Sequence, residues 1–112
     1  MNWKEFTNEE GLEEIKKRSA EKPQVIFKHS TKCSISSMAK SRLERAEEPQ
    51  GIDFNYLDLI AHRNISSKIA EEFQVEHASP QVLIIKDGKC VYDESHSAIS
   101  MDEIVEVGAQ VN

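Results

Sequence analysis

Residues His29 to Ser36 read His-Ser-Thr-Lys-Cys-Ser-Ile-Ser. An apolar run, Val25-Ile26-Phe27, comes directly before them, and a helical pattern begins at Ile35. This order predicts a buried strand, a tight polar turn and a helix whose first turn carries Cys33. A thiol in that position lies against unpaired backbone N–H groups at the positive end of the helix dipole, and both stabilise the reactive thiolate. We therefore predict that Cys33 is a nucleophile.

The neighbours of Cys33 support this interpretation. Thr31, Lys32 and Ser34 are polar, and Lys32 adds positive charge beside the thiol. The alternative is that Cys33 is a small buried hydrophobic residue, as free cysteines often are. Polar side chains on both sides of Cys33 do not form the apolar surroundings of a buried thiol, so the sequence favours an exposed, reactive cysteine.

Ser36 occupies the place where a dithiol enzyme of the Cys-x-x-Cys type has its second cysteine. Cys-x-x-Ser cannot close an internal disulfide, so a mixed disulfide on Cys33 must wait for another thiol. The Ser36 hydroxyl is predicted to donate to the Cys33 sulfur. The alternative is that it satisfies backbone groups in the first helical turn, and both roles are compatible.

Length and composition indicate one domain, residues 1–112, with 38% hydrophobic and 30% charged residues. The net charge of −6 argues against a nucleic-acid partner. We find no apolar signal core at the start and no run near the ~20 residues that cross a bilayer, so we expect a cytoplasmic protein without a membrane partner. Two cysteines are too few for a disulfide framework.

The remaining patterns predict the element order α-β-α-β-α-β-β-α, with strands at 24–28, 52–59, 81–86 and 89–93. Thr7 and Glu10 form a capping box for the first helix, and Asn64 is the expected cap of the third. A stripe predicts the buried face of the second helix: Ile35, Met38, Ala39, Arg42, Leu43 and Ala46. The order is that of a thioredoxin-like α/β fold, a four-stranded mixed sheet flanked by helices, with an extra N-terminal helix.

Other residues with possible chemistry are fewer. Ser79-Pro80 precedes a buried strand, which predicts an ordered turn and allows a cis bond. Cys90 lies in a predicted hairpin strand and is predicted to be a cysteine of modest reactivity. A resolving role requires its Cα within about 6 Å of the Cα of Cys33, which the sequence leaves open. The histidine spacings match no metal-binding pattern, so we predict no metal site.

The chain resembles a known family, the monothiol bacilliredoxins, which are YtxJ-type thioredoxin-like proteins of the bacillithiol system. The resemblance spans nearly the whole chain. The matching residues are Phe27-Lys28-His29-Ser30-Thr31, Cys33, Ile35-Ser36, His77-Ala78-Ser79-Pro80-Gln81 and Ser95-His96-Ser97. The family usually has proline after the cysteine, where this chain has Ser34. Proline suits the first helical turn, so its replacement alters the loop and leaves the nucleophile in place.

The resemblance implies that the protein is a monothiol thiol–disulfide oxidoreductase of redox homeostasis that removes bacillithiol from bacillithiolated proteins. Cys33 would attack the bacillithiol sulfur, and a low-molecular-weight thiol or another redoxin would then reduce the adduct. Bacillithiol would be a co-substrate, with no tightly bound cofactor. The resemblance also implies a cis Pro80 beside the cysteine, and a Ser79 backbone that pairs with substrate. We expect the malate carboxylates of bacillithiol at the helix N–H groups and Lys32.

Two other functions remain open. A non-catalytic redox-sensing or binding module would form stable adducts on Cys33 without turnover. An iron–sulfur carrier of the monothiol glutaredoxin type is a weaker alternative, because Cys33-Ser34-Ile35-Ser36 lacks the glycine of the Cys-Gly-Phe-Ser motif.

Overall fold

The computed structural model describes residues 1–111. A five-stranded sheet has the order β1-β3-β2-β4-β5. The strands are β1 Lys4–Glu5, β2 Gln24–His29, β3 Asp53–Asp58, β4 Gln81–Lys86 and β5 Lys89–Ser95. The helices are α1 Glu9–Arg18, α2 Ser34–Arg45, α3 Arg63–Phe73 and α4 Met101–Val111, with a short 3-10 helix at His96–Ala98. The predicted thioredoxin-like architecture is confirmed.

The sheet has one strand more than the four we predicted. β1 pairs in parallel with β3, with Lys4 opposite Asn55. Trp3, the residue before β1, stacks on Phe27 and makes an edge contact with Phe54. A strand of two residues is too short to show a periodic pattern in the sequence, so β1 could not be predicted. It is recognised in the structure by its pairing with β3 and by the packing of Trp3 beside it.

Alternate residues of β2 enter two separate cores. Val25 and Phe27 pack against α2 and α4 on one face of the sheet. Ile26 packs against α1 and α3 on the other face. By the same alternation His29 belongs to the α2 face and Lys28 to the α3 face. His29 and Lys28 therefore lie on opposite faces of the sheet.

Two helix caps differ from the prediction. Asn8, not Thr7, caps α1, because its Oδ1 accepts the Gly11 backbone N–H at 2.9 Å. His62, not Asn64, precedes α3. The Asp58 carboxylate accepts the backbone N–H of Ile60 at 3.1 Å and so stabilises the turn before this helix.

The buried face of α2 is also different. Ile35 and Met38 are 52% and 62% exposed, although the stripe pattern predicted them in the core. Ser36, Ala39 and Leu43 form the buried face instead. A search for apolar residues does not count a buried serine. The predicted buried face was therefore centred too close to Ile35 and Met38.

The β4–β5 hairpin is confirmed, with Asp87 and Gly88 at its turn. Both have positive φ, 53° and 74°, which is the conformation that two-residue hairpin turns require and that Asp-Gly supplies. β5 extends to Ser95, two residues beyond the predicted end.

One edge of the sheet gathers the residues of interest. β2 and β3 run parallel, with His29 opposite Asp58, so both end at this edge. β4 runs antiparallel to β2 and begins here, with Gln81 opposite Lys28. The loops that carry Cys33, the start of α3 and Pro80 therefore lie at the same edge.

Candidate active site

Cys33 lies immediately before α2 as its N-cap residue and is partly exposed. Its backbone N–H donates to the Ser30 carbonyl at 3.1 Å, and its carbonyl accepts the Ser37 N–H at 3.0 Å. The first bond closes the tight turn after β2, and the second opens the helix. The predicted position of the thiol at the N-terminus of α2 is confirmed, and the first turn contains no acidic residue to oppose a thiolate.

The polar residues around the thiol face solvent. Thr31, Lys32 and Ser34 are all exposed. Within residues 1–111, Lys32 forms no ion pair. The three side chains are therefore available to a substrate that approaches Cys33, and their supporting role stays a prediction.

Ser36 is fully buried, and its hydroxyl is directed to the end of β2. Its Oγ accepts the Ser30 backbone N–H at 3.0 Å and lies 2.6 Å from His29 Nδ1. Among residues 1–111, no hydrogen bond joins Ser36 to the Cys33 sulfur, in contrast to our expectation. Ser36 instead satisfies a backbone group, which was the alternative, and connects α2 to β2.

His29 is the residue of this site that sequence reasoning undervalued. It is buried, stacks on Phe27 at a centroid distance of 5.6 Å and contacts Tyr56. Burial lowers its pKa, with a further decrease from the Lys40 charge, so the imidazole is neutral at pH 7. Because Ser36 Oγ already accepts from Ser30, its own proton is free to be donated to His29 Nδ1. The only signal in the sequence was the place of His29 at the end of an apolar run.

The Ser79–Pro80 peptide bond is cis, as expected. Pro80 directly precedes β4, so it lies at the same sheet edge as the end of β2. Its carbonyl accepts the His96 backbone N–H at 3.0 Å. Ser79 Oγ is buried without a hydrogen-bond partner among the described residues. The contact of Ser79 and Pro80 with substrate stays a prediction.

Cys90 lies at the opposite edge of the sheet from Cys33. It pairs with Ile85, and Ile85 is opposite Gln24 at the beginning of β2. From Gln24 to His29 the strand rises about 17 Å, and Cys33 lies beyond its end. A disulfide requires Cα atoms about 6 Å apart, so Cys90 does not resolve Cys33 within one molecule. Burial also raises the pKa of the Cys90 thiol, whose Sγ donates to the Tyr92 carbonyl.

The histidines of the chain are dispersed. His62 precedes α3, His77 lies in the loop before Pro80, and His96 opens the 3-10 helix. Within residues 1–111, no three histidine, cysteine or acidic side chains come close enough together to hold a metal ion. In the same part of the chain, none of the helices combines the length and apolar character that crossing a membrane requires.

The family model described as monothiol bacilliredoxin BrxC matches residues 4–104, which include the cysteine turn and the Ser79-Pro80 loop. The chain belongs to the monothiol bacilliredoxin family. The region matched to this family includes Cys33, which is partly exposed immediately before α2, and Ser36, which follows three residues later.

Solved structures show the same fold for this bacilliredoxin. A protein described as an oxidoreductase with a thioredoxin fold is 24% identical, with a TM-score of 0.82, 93% of this chain covered and 91% of that chain. Thioredoxin from Fasciola hepatica is 19% identical, with a TM-score of 0.76 and coverage of 97% and 99%. Spinach chloroplast thioredoxin f is 18% identical, with a TM-score of 0.72 and coverage of 97% and 92%. Family and fold together support a redox function.

Proposed function

We propose that this bacilliredoxin is a monothiol thiol–disulfide oxidoreductase that removes bacillithiol from protein mixed disulfides. The observation that carries the proposal is the isolation of Cys33. It is partly exposed at the start of α2, Ser36 follows where a second thiol would be, and Cys90 lies at the far edge of the sheet. A thiol without a second thiol in reach forms a mixed disulfide with one small thiol, and another thiol then reduces that disulfide.

The reaction has two exchanges. The Cys33 thiolate attacks the bacillithiol sulfur, the protein–bacillithiol disulfide breaks, and the protein thiolate leaves and takes up a proton. A second thiolate, from bacillithiol or another redoxin, then attacks the bacillithiol sulfur of the adduct and releases Cys33. No oxidant is consumed, because each exchange forms one disulfide and breaks one.

The surrounding residues have separate tasks in this scheme. The N-terminal N–H groups of α2 stabilise the thiolate. His29 and Ser36 hold the first turn of α2 against β2. Thr31, Lys32 and Ser34 face the incoming disulfide, and the Ser79-Pro80 segment pairs with an extended part of the substrate protein. Such exchange suits a reducing compartment, and we assign the protein to the cytoplasm.

The test is intact-mass spectrometry after mixing the reduced protein with a bacillithiolated model protein. We expect wild type and Cys90→Ser to gain one bacillithiol while the model protein loses it, and Cys33→Ser to do neither. Added bacillithiol should then return Cys33 to the free thiol. Cys90→Ser is the matched control, because it removes the other thiol.

Two results would contradict the proposal. If wild type takes no bacillithiol, the protein is a binding module. If it takes bacillithiol and keeps it in the presence of excess thiol, the protein is a redox sensor, since turnover requires release.

A further inference from the structure

Lys28 is a buried charge without a carboxylate partner. Its side chain is fully buried on the α3 face of β2. The Nζ atom lies 3.3 Å from the Ser66 carbonyl oxygen and 3.5 Å from His77 Nδ1. No acidic group of residues 1–111 forms a salt bridge with it. Buried lysines are normally paired, because an isolated charge is costly in the interior.

A small cavity lies directly beside this ammonium group. Its volume is about 190 Å³. We call it the α3 pocket, and its lining residues are Leu59, Arg63, Ser66, Ser67 and His77. Lys28 lies behind the wall of the pocket, because both of its contacts are lining residues. Arg63 is exposed, and within the described chain its guanidinium forms no ion pair.

The polar groups of the α3 pocket are predominantly donors. Burial lowers the pKa of Lys28 only to about 8, so the ammonium form predominates at pH 7. An ammonium group can donate hydrogen bonds but cannot accept one. His77 Nδ1 must then be the acceptor, and the ring proton lies on Nε2. Burial and the charges of Lys28 and Arg63 lower the pKa of His77 and keep it neutral. Arg63, the His77 Nε2–H and the Ser67 hydroxyl are thus the donors among the lining residues.

The α3 pocket lies at the sheet edge of Cys33. The backbone N–H of Leu59, a lining residue, donates to the His29 carbonyl at 3.0 Å. His29 is the last residue of β2, and the cysteine turn follows it. A ligand anchored in the pocket is therefore held at the same edge as the reactive thiol.

We propose that the α3 pocket binds a carboxylate group of the low-molecular-weight thiol that Cys33 exchanges. This rests on the proposed function, in which that thiol is bacillithiol with its malate group. Arg63 and Lys28 supply the positive charge, and the His77 Nε2–H supplies a neutral donor. The pocket replaces Lys32 as the principal carboxylate partner, because the buried Lys28 adds a charge that solvent screens little, whereas the exposed Lys32 acts alone.

The first experiment measures binding of malate alone to the reduced protein by the shift of backbone amide NMR signals. We compare wild type with Arg63→Gln and with Arg45→Gln, which removes another exposed arginine from the far end of α2. We expect Arg63→Gln to weaken malate binding about tenfold, as the loss of a charge-assisted hydrogen bond does, and Arg45→Gln to leave it unchanged. Lys28→Met should also weaken it. Equal binding by the two arginine variants would overturn the proposal.

A second experiment separates the two sources of a carboxylate, the small thiol and an acidic protein substrate. One model protein is loaded with either bacillithiol or 2-mercaptoethanol, a small thiol without a carboxylate, and kcat/KM is measured for each form. We expect Arg63→Gln to lose about tenfold on the bacillithiol form alone. An equal loss on both forms would mean that the pocket contacts the protein, and would overturn the proposal.

The two proposals fail in different ways. If wild type does not act on the bacillithiol form but malate binding depends on Arg63, the proposed function is wrong and the carboxylate site is supported. If wild type turns over and Arg63→Gln matches Arg45→Gln in both experiments, the pocket proposal is wrong and the function is supported.

Discussion

Ser36 Oγ lies 2.6 Å from His29 Nδ1, and the same oxygen accepts the Ser30 N–H. Three parts of the chain meet in these two bonds: the end of β2, the turn before the cysteine, and the first turn of α2. The serine of the Cys-x-x-Ser motif therefore does more than leave out a second thiol, because its hydroxyl forms these two hydrogen bonds. It holds the helix N-terminus in place behind Cys33.

Replacing Ser36 by alanine should destabilise the protein. The change leaves the Ser30 N–H and a buried imidazole nitrogen without a partner, which costs about 1–3 kcal/mol of the free energy of unfolding. Urea unfolding measures this loss. Ser37→Ala is the control, because Ser37 is exposed on the same turn of α2. Equal unfolding midpoints for the two variants would show that the His29–Ser36 bond contributes nothing.

Replacing Lys28 by methionine should stabilise the protein at pH 7. The native pKa of about 8 lies below the ordinary value of 10.5, so the buried ammonium destabilises the native state. We expect a gain of about 2 kcal/mol. Between the two pKa values the unfolded chain binds more protons than the native one, so wild type gains stability as the pH rises.

The advantage of Lys28→Met should therefore be largest below pH 8 and shrink toward pH 10. Urea unfolding at pH 7 and at pH 10, in a buffer without carboxylates, measures the difference in the free energy of unfolding between Lys28→Met and wild type. Lys89→Met, an exposed lysine in β5, is the control. A constant difference between wild type and Lys28→Met at both pH values would contradict the interpretation.

Acid should destabilise the protein through His29. Its native pKa is lowered by burial, so the unfolded chain binds the proton more readily. Stability from this group is complete above the unfolded value of about 6.5 and is lost as the pH falls toward the native pKa. His29→Asn keeps a polar atom for Ser36 and should reduce the dependence of Tm on pH below about 6.5. An unchanged dependence in this variant would exclude His29 as the cause.

The exposed apolar residues on α2 should contribute to recognition of protein substrates. Ile35 and Met38 are one turn apart and begin two residues after Cys33. We expect Met38→Ser to raise KM for a bacillithiolated protein severalfold, to leave kcat with a small disulfide unchanged, and to change stability by less than about 0.5 kcal/mol. Val105→Ser on α4 is the matched control. A change of similar size in both variants would refute a specific role for Met38.

Local signals predicted most of the fold. The apolar run before His29, the Asp87-Gly88 turn and the proline before β4 each act over a few residues, and each is confirmed. The position of Cys33 at a helix N-terminus follows from the same kind of signal. β1 was missed because a strand of two residues has no periodic pattern, and the packing of Trp3 on Phe27 and Phe54 beside it is a tertiary contact.

The sequence by itself determined the order of the helices and of β2 to β5, the position of Cys33 before α2 and the lack of a neighbouring second thiol, because these depend on short-range spacing. Tertiary structure alone decided the partners of buried polar groups. Ser36 meets His29, Lys28 meets His77, and Cys90 lies at the edge opposite Cys33 through strand register. Ser36 and His29 are seven residues apart and Lys28 and His77 are 49 apart, but each pair joins different elements, which no local pattern links. The free energy of burying a polar group depends on which partner the fold brings to it.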